Sequence, residues 1–326
     1  DLTQAEAVHE LIQAQTQLAA HAASRQLQGQ LRHQVEALHL QLISVLAEVE
    51  VRMDFVEEDL DWQPPAWLEQ RVSGAAATVA TLLASRHTGE LLREGLALVI
   101  AGAPNAGKSS LLNLLLGRER AIVTPIAGTT RDTLEESAQL RGIPLRLVDT
   151  AGLRHTEDLV EQAGIARGMA AIQEAELLLW VLDATRDLAE QTQDPKVFAD
   201  KAVIAVINKC DLQPRPAWLD QVPYPQVSLS ALNGAGFNNL ADAIERVAWG
   251  QPRREEPEHA ISARHAEHLA AAQISLAEAH DRLHGQQFEL LAVNLRGALD
   301  ALGRITGRTL QPDILDTIFH RFCIGK

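Results

Sequence analysis

The sequence predicts an α/β domain, with a mostly parallel sheet and helices on both faces, inserted into an all-α helical domain. Three observations carry this. Short continuous apolar runs recur at residues 96–100, 145–148, 177–182 and 202–207, the pattern of strands buried on both faces. Helical stretches lie between them, at about 109–116, 159–174 and 238–248, and such alternation argues for parallel pairing. The residues before and after this block carry only helical patterning. Each flank has an apolar stripe to cover, so the two are expected to pack into one helical domain. The expected division is 1–95 for the first helical part, 96–249 for the α/β domain and 250–326 for the second helical part.

Residues 1–57 read as helix. Thr3 followed by Glu6 fits a capping box. Val35, Leu38, Leu42, Val45, Leu46 and Val49 recur at spacings of three and four, which places them on one face. Gly29 is a weak point between two stretches, and Pro64 and Pro65 break the pattern. A second helix is expected from about 66 to 92. A short strand is expected at 225–229. Residues 251–258 turn polar around Pro252 and Pro257 and read as a linker. Helical patterning then returns at 261–284, 288–302 and 312–322.

The chain has 326 residues, 46% apolar and 22% charged, with a formal net charge of −14. That is enough apolar material for a sizeable core and argues against global disorder. Residues 1–95 carry 6 basic and 14 acidic side chains, residues 96–250 carry 14 and 19, and residues 251–326 carry 9 and 10. No region has the basic excess that binding nucleic acid by bulk charge requires, and the last is the least acidic. No apolar run approaches the length of a membrane span. Cys210 and Cys323 are the two cysteines, so a disulfide scaffold is excluded and a reducing, cytoplasmic location is expected.

Residues 102–109 read Gly-Ala-Pro-Asn-Ala-Gly-Lys-Ser and match GxxxxGK[ST] between a strand and a helix, the context this motif requires. Gly102 and Gly107 let successive amides turn inward toward phosphate oxygens. The helix beginning near Lys108 adds its positive dipole end. Lys108 can reach the β and γ phosphates, and the Ser109 hydroxyl can ligate Mg²⁺. Asn105, Ala106 and Ser110 complete the candidate phosphate cradle.

Further signatures follow in order, each at a strand end. Asp149-Thr150-Ala151-Gly152 can hold Mg²⁺ through water and sense a γ-phosphate, or can be a plain helix cap. Asn208-Lys209-Cys210-Asp211 can read a base: the Asp211 carboxylate accepts from guanine N1–H and N2, a donor pair adenine lacks. Ser230-Ala231 can add a backbone contact to guanine O6. Each is weak alone; the ordered set predicts a guanine-nucleotide site on a phosphate-loop G domain. Between the first two signatures, Gly128-Thr129-Thr130-Arg131-Asp132 lies in a candidate switch loop. No Gln follows Gly152, so the usual water-positioning residue is missing. Arg131 and Arg154 are candidates for charge at the leaving oxygens.

These motifs, with the closing Cys323-Ile324-Gly325-Lys326 and the opening Asp1–Val8 segment, resemble the MnmE (TrmE) family of tRNA-modification GTPases over essentially the whole chain. The resemblance implies K⁺-stimulated hydrolysis of GTP to GDP and phosphate when G domains pair in a homodimer. That hydrolysis would drive modification of the wobble uridine of certain tRNAs with an FAD-dependent partner protein. It implies a nucleotide-binding switch loop that includes Thr124, Pro125, Ile126, Ala127, Gly128, Thr129 and Thr130. It implies K⁺ held by Asn105, Thr124, Ile126 and Thr129, and Mg²⁺ held by Ser109 and Thr130. Glu161 would orient the attacking water, although by itself it reads as an ordinary helix-surface acid. Cys323 would lie near the tRNA-modifying centre, or simply pack beside Phe319 and Phe322, and Lys326 would touch a tetrahydrofolate derivative. The family's separate folate-binding domain has no counterpart in these residues, so a piece of a longer protein is expected. Two other readings stay open: a ribosome-assembly GTPase that binds rRNA, and a GTP-binding dimerisation scaffold with little turnover.

Overall fold

The computed structural model describes residues 1–54, 63–118, 136–148, 173–191, 201–250 and 260–307. The described residues fall into two compact units: one takes in those within 1–14, 19–90 and 260–307, the other those within 15–18 and 91–250. The expected α/β insertion between helical flanks is therefore observed, with a sheet in the second unit.

Six strands make that sheet: β1 (Leu96–Gly102), β2 (Glu136–Leu140), β3 (Ile143–Leu147), β4 (Leu177–Asp183), β5 (Ala202–Asn208) and β6 (Gln226–Ser228). Their spatial order is β2-β3-β1-β4-β5-β6. All pairings are parallel except β2 with β3. The continuous apolar runs have a simple cause. In β1, Leu96, Leu98 and Ile100 pack into one layer, while Ala97 and Val99 enter the other. In β4, Leu177, Leu179 and Val181 alternate with Leu178, Trp180 and Leu182 in the same way. Alternate side chains point to opposite faces, so a strand covered on both faces needs no polar position.

β2 was not expected from the sequence. It is a five-residue edge strand, paired antiparallel to β3 through the turn Arg141-Gly142. Both turn residues have positive φ, +50 and +83, as a tight two-residue hairpin requires. Arg141 then ties the hairpin to a helix by donating to Asp242 and Glu245, at 2.5 and 3.0 Å.

The helical unit contains α1 (Leu2–Gln13), all but the first two residues of α2 (Gln17–Leu27), α3 (Gln30–Asp54), α4 (Pro65–Ala84) and the opening of α5 (Arg86–Glu94). After the sheet unit, with its helices α6 (Lys108–Arg118) and α7 (Phe237–Trp249), come α8 (Ala263–His284) and α9 (Phe288–Thr306). The core of the helical unit joins α3 and α4 to α8 and α9. Val35, Leu38, Leu42, Val45 and Val49 are buried in it, and Leu46 packs at its margin. No described helix is long and apolar enough to cross a membrane.

Three expectations need correction. The helical stretch over 1–57, expected to weaken only at Gly29, is three helices within the described 1–54: the break at Gly29, with φ +88, is the expected one, and a second falls after Gln13. The break after α1 has no Gly or Pro; tertiary bonds hold it, from Gln4 Nε2 to Leu27 O and from Gln26 Nε2 to Thr3 O. The helix over 66–92 is two, because the Ser85 hydroxyl and amide both donate to Leu82 O and compete with helix continuation. The box that caps α1 is Asp1 with Gln4, not Thr3 with Glu6. Asp1 Oδ1 accepts from Gln4 N at 2.9 Å, and Thr3 lies buried inside the helix.

Glu6 has another task. Arg264 grips it through Nε at 2.6 Å and Nη2 at 3.0 Å, and His265 Nε2 lies 2.8 Å from Oε2. Burial alone would raise its pKa, but the hydrogen bonds from His265 and Arg264 more than reverse this and hold it at about 2, against 4.5 for a free glutamate. A depressed folded pKa stabilises above the unfolded value, and that stability is lost as pH falls toward 2. Glu6→Gln is expected to cost about 3 kcal/mol near neutral pH. The gap from the parent should close as acid denaturation curves are compared between about pH 4.5 and 2. A constant gap across that window would refute the assignment.

Candidate nucleotide site

β1, β4, β5 and β6 are neighbours and run parallel, so their carboxyl ends share one edge of the sheet. In open α/β sheets this edge is where ligands bind. Gly102 ends β1, Asp183 ends β4, Asn208 ends β5, and Leu229-Ser230-Ala231 follow β6.

The loop after β1 is tightly wound. Asn105 and Gly107 have φ of +63 and +102; Asn tolerates the left-handed region better than most side chains. A Cβ on Gly107 would sit 2.0 Å from Asn208 Nδ2, so no side chain fits there. Ala106 is buried, Gly107 and Lys108 are half-buried, and Asn105, Ser109 and Ser110 are exposed. The Lys108 ammonium donates to the carbonyls of Gly102 and Ala103, at 3.0 and 2.9 Å, and burial lowers its pKa.

Asn208 links this loop to the far one. Its side chain, 3% exposed, donates from Nδ2 to Ala106 O at 2.8 Å. Its Oδ1 accepts from Ala231 N at 2.9 Å. Ser230 is fully buried, donating its amide to Ala235 O and accepting at Oγ from Asn233 N. Lys209 takes φ +62, and the chain turns back: Cys210 N donates to Leu229 O, and Leu212 N to Lys209 O. That turn holds Asp211 exposed at the same edge.

Asp183, at this edge, escaped the sequence reading. Asp183 Oδ2 accepts from Lys209 Nζ at 2.5 Å, and Oδ1 accepts from Thr185 N and Oγ1 at 2.9 and 2.7 Å. Burial would raise the Asp183 pKa, but the Lys209 and Thr185 hydrogen bonds prevail and lower it. Gln191, 2% exposed, brackets the Asp183 backbone, accepting from its N at 2.7 Å and donating to its O at 3.0 Å. The available signal was that Asp183 is the first polar residue after an apolar strand, as Asn208 is. Arg186, which donates to Pro104 O at 3.3 Å, had no such signal.

The structure thus brings Asn105 to Ser110, Asn208, Lys209, Asp211, Ser230 and Ala231 to one sheet edge. Thr124, Pro125, Ile126, Ala127, Gly128, Thr129, Thr130, Arg131, Asp149, Thr150, Ala151, Gly152, Arg154, Glu161, Cys323 and Lys326 lie outside the described residues, as do the helix expected at 312–322, the linker at 251–258 and all but the last two residues of the helix expected at 159–174.

The family model for the MnmE helical domain matches residues 2–323. A tRNA modification GTPase MnmE from Natranaerobius thermophilus is 41% identical over all of this chain and 73% of its own length. The protein of the same name from Geobacter sulfurreducens is 44% identical, again over the whole chain and 73% of its own length. Among solved structures, the FeoB G domain from Methanococcus jannaschii covers 47% of this chain and 96% of its own, at 23% identity and a TM-score of 0.35. With full-length identity above 40% to such relatives and a matching helical-domain model, the chain belongs to the MnmE family of tRNA modification GTPases.

Proposed function

We propose that this chain binds GTP at the carboxyl edge of its sheet and hydrolyses it to GDP and phosphate in the service of tRNA modification. The observation that carries the reading is the double hydrogen bond of Asn208, which locks the phosphate loop at Ala106 to the base loop at Ala231. One buried side chain thereby sets the distance between phosphate recognition and base recognition.

In this reading the amides from Asn105 to Ser110 surround the phosphates, and Lys108 exchanges its two carbonyl partners for phosphate oxygens. Asp211 accepts from guanine, and Lys209, anchored by Asp183, keeps Asp211 in place. The residues present fit a metal-assisted site, since the Ser109 hydroxyl and the Asn105 amide are exposed beside the loop. Ser109 and Thr130 would hold Mg²⁺, and Asn105, Thr124, Ile126 and Thr129 would hold K⁺. These ions supply positive charge for the oxygens that become more negative during phosphoryl transfer. Glu161 would orient the attacking water, Arg131 would offset charge at the leaving oxygens, Asp149 would hold Mg²⁺ through water and Gly152 would sense the γ-phosphate. Pairing of two G domains in a homodimer, an FAD-dependent partner, and a folate-derived one-carbon donor contacted by Lys326 near Cys323 complete the proposal.

The test is the GTPase rate in K⁺ and in Na⁺ at matched ionic strength, over a series of protein concentrations. The expected result is a rate at least about tenfold higher in K⁺, rising per protomer as concentration rises. Equal rates in both salts would remove the K⁺ site, and a flat concentration dependence would remove activation by pairing.

A further inference from the structure

Away from the nucleotide edge, the helical unit gathers three metal-binding side chains. His280 and His284 stand one turn apart on α8, and Glu69 faces them from α4. A spacing of four residues puts both imidazoles on one helix face, and their ring centroids are 4.5 Å apart in an edge-to-face arrangement. His284 Nε2 lies 3.8 Å from Glu69 Oε1. One ligand atom from each of the three residues falls within 4.8 Å of the others.

We propose that His280, His284 and Glu69 form a binding site for a zinc-type divalent transition-metal ion that joins α4 to α8. Metal–ligand distances of about 2.0–2.2 Å in a tetrahedral shell put ligand atoms roughly 3.3 Å apart. Rotating these half-exposed side chains inward by about 1 Å closes that gap. Two imidazoles and a carboxylate suit Zn²⁺, Ni²⁺ or Cu²⁺, and they suit Mg²⁺ and K⁺ poorly. The site is thus chemically separate from the ions of the nucleotide edge. Three protein ligands leave the fourth position to water, and the open solvent side provides entry. Because the ligands come from both sides of the bundle, an ion bound there favours the folded helical unit by mass action.

The experiment is a calorimetric titration of untagged, thiol-reduced protein with Zn²⁺ in excess Mg²⁺. It is repeated for His284→Gln, Glu69→Gln and the double variant His280→Ala/His284→Ala. One strong site is expected in the parent, at least about tenfold weaker in each single variant and lost in the double variant. His280 is about a third exposed and His284 and Glu69 about half, so the variants should melt like the parent without metal, while Zn²⁺ raises the melting temperature of the parent alone. Co²⁺ in place of Zn²⁺ should give a nitrogen and oxygen ligand spectrum. Unchanged binding in the double variant, no saturable binding in the parent, or a thiolate-to-cobalt absorption pointing to cysteine would each overturn the assignment.

Discussion

Replacing Asp211 by alanine is expected to cut the preference for GTP over ATP by about 10³- to 10⁴-fold. A carboxylate accepts from both guanine N1–H and the N2 amine; without it two donors are desolvated with no partner. Adenine offers no such pair, so ATP affinity should change little, and the loss should fall almost entirely on GTP. Asp211 is exposed and its turn is held by backbone bonds from Cys210 and Leu212. The variant should therefore fold and melt like its parent. Competitive titration with the two nucleotides gives the readout, and an unaltered GTP to ATP ratio would sink the assignment of base recognition to this residue.

Asn208→Ala should damage both stability and binding. The change strips partners from Ala106 O and Ala231 N, deep in the edge. At about 1–3 kcal/mol for each of the two buried groups left unpaired, the sheet unit should lose roughly 2–6 kcal/mol. GTP affinity should fall by at least about 100-fold, because the two loops no longer hold a common geometry. Asn208→Asp is the sharper variant. It keeps an acceptor for Ala231 N but turns a carboxylate oxygen toward the Ala106 carbonyl, so it should bind GTP no better than the alanine variant. Full affinity in either one would show that the link between the loops does not support binding.

The legibility of this protein from its sequence follows burial. β1 and β4 were readable because both faces are covered, which leaves an unbroken apolar run. β2 was not, because an edge strand carries Ser137 and Gln139 among few apolar residues. The GxxxxGK[ST] loop and Asn208 were readable because their chemistry restricts residue type. Asp183 was overlooked because its role depends on Lys209, a neighbour only across two paired strands. The breaks before Gln17 and at Ser85 were invisible because Ala and Gln favour helix, and hydrogen bonds to distant or competing groups decide the outcome instead. Glu6 was mistaken for a capping residue; its partner Arg264 is 258 positions away, beyond any local pattern.

The covering of α3 and α4 by α8 and α9 has a temporal consequence. On a ribosome, α4 emerges before the whole sheet unit, and α8 only after it. At about 5–20 residues per second, the greasy seam of the first helices stays bare for roughly ten to forty seconds. Nascent chains stalled between residues 95 and 260 should therefore recruit chaperones, and release of that burden should coincide with synthesis of α8 and α9 rather than with completion of the sheet.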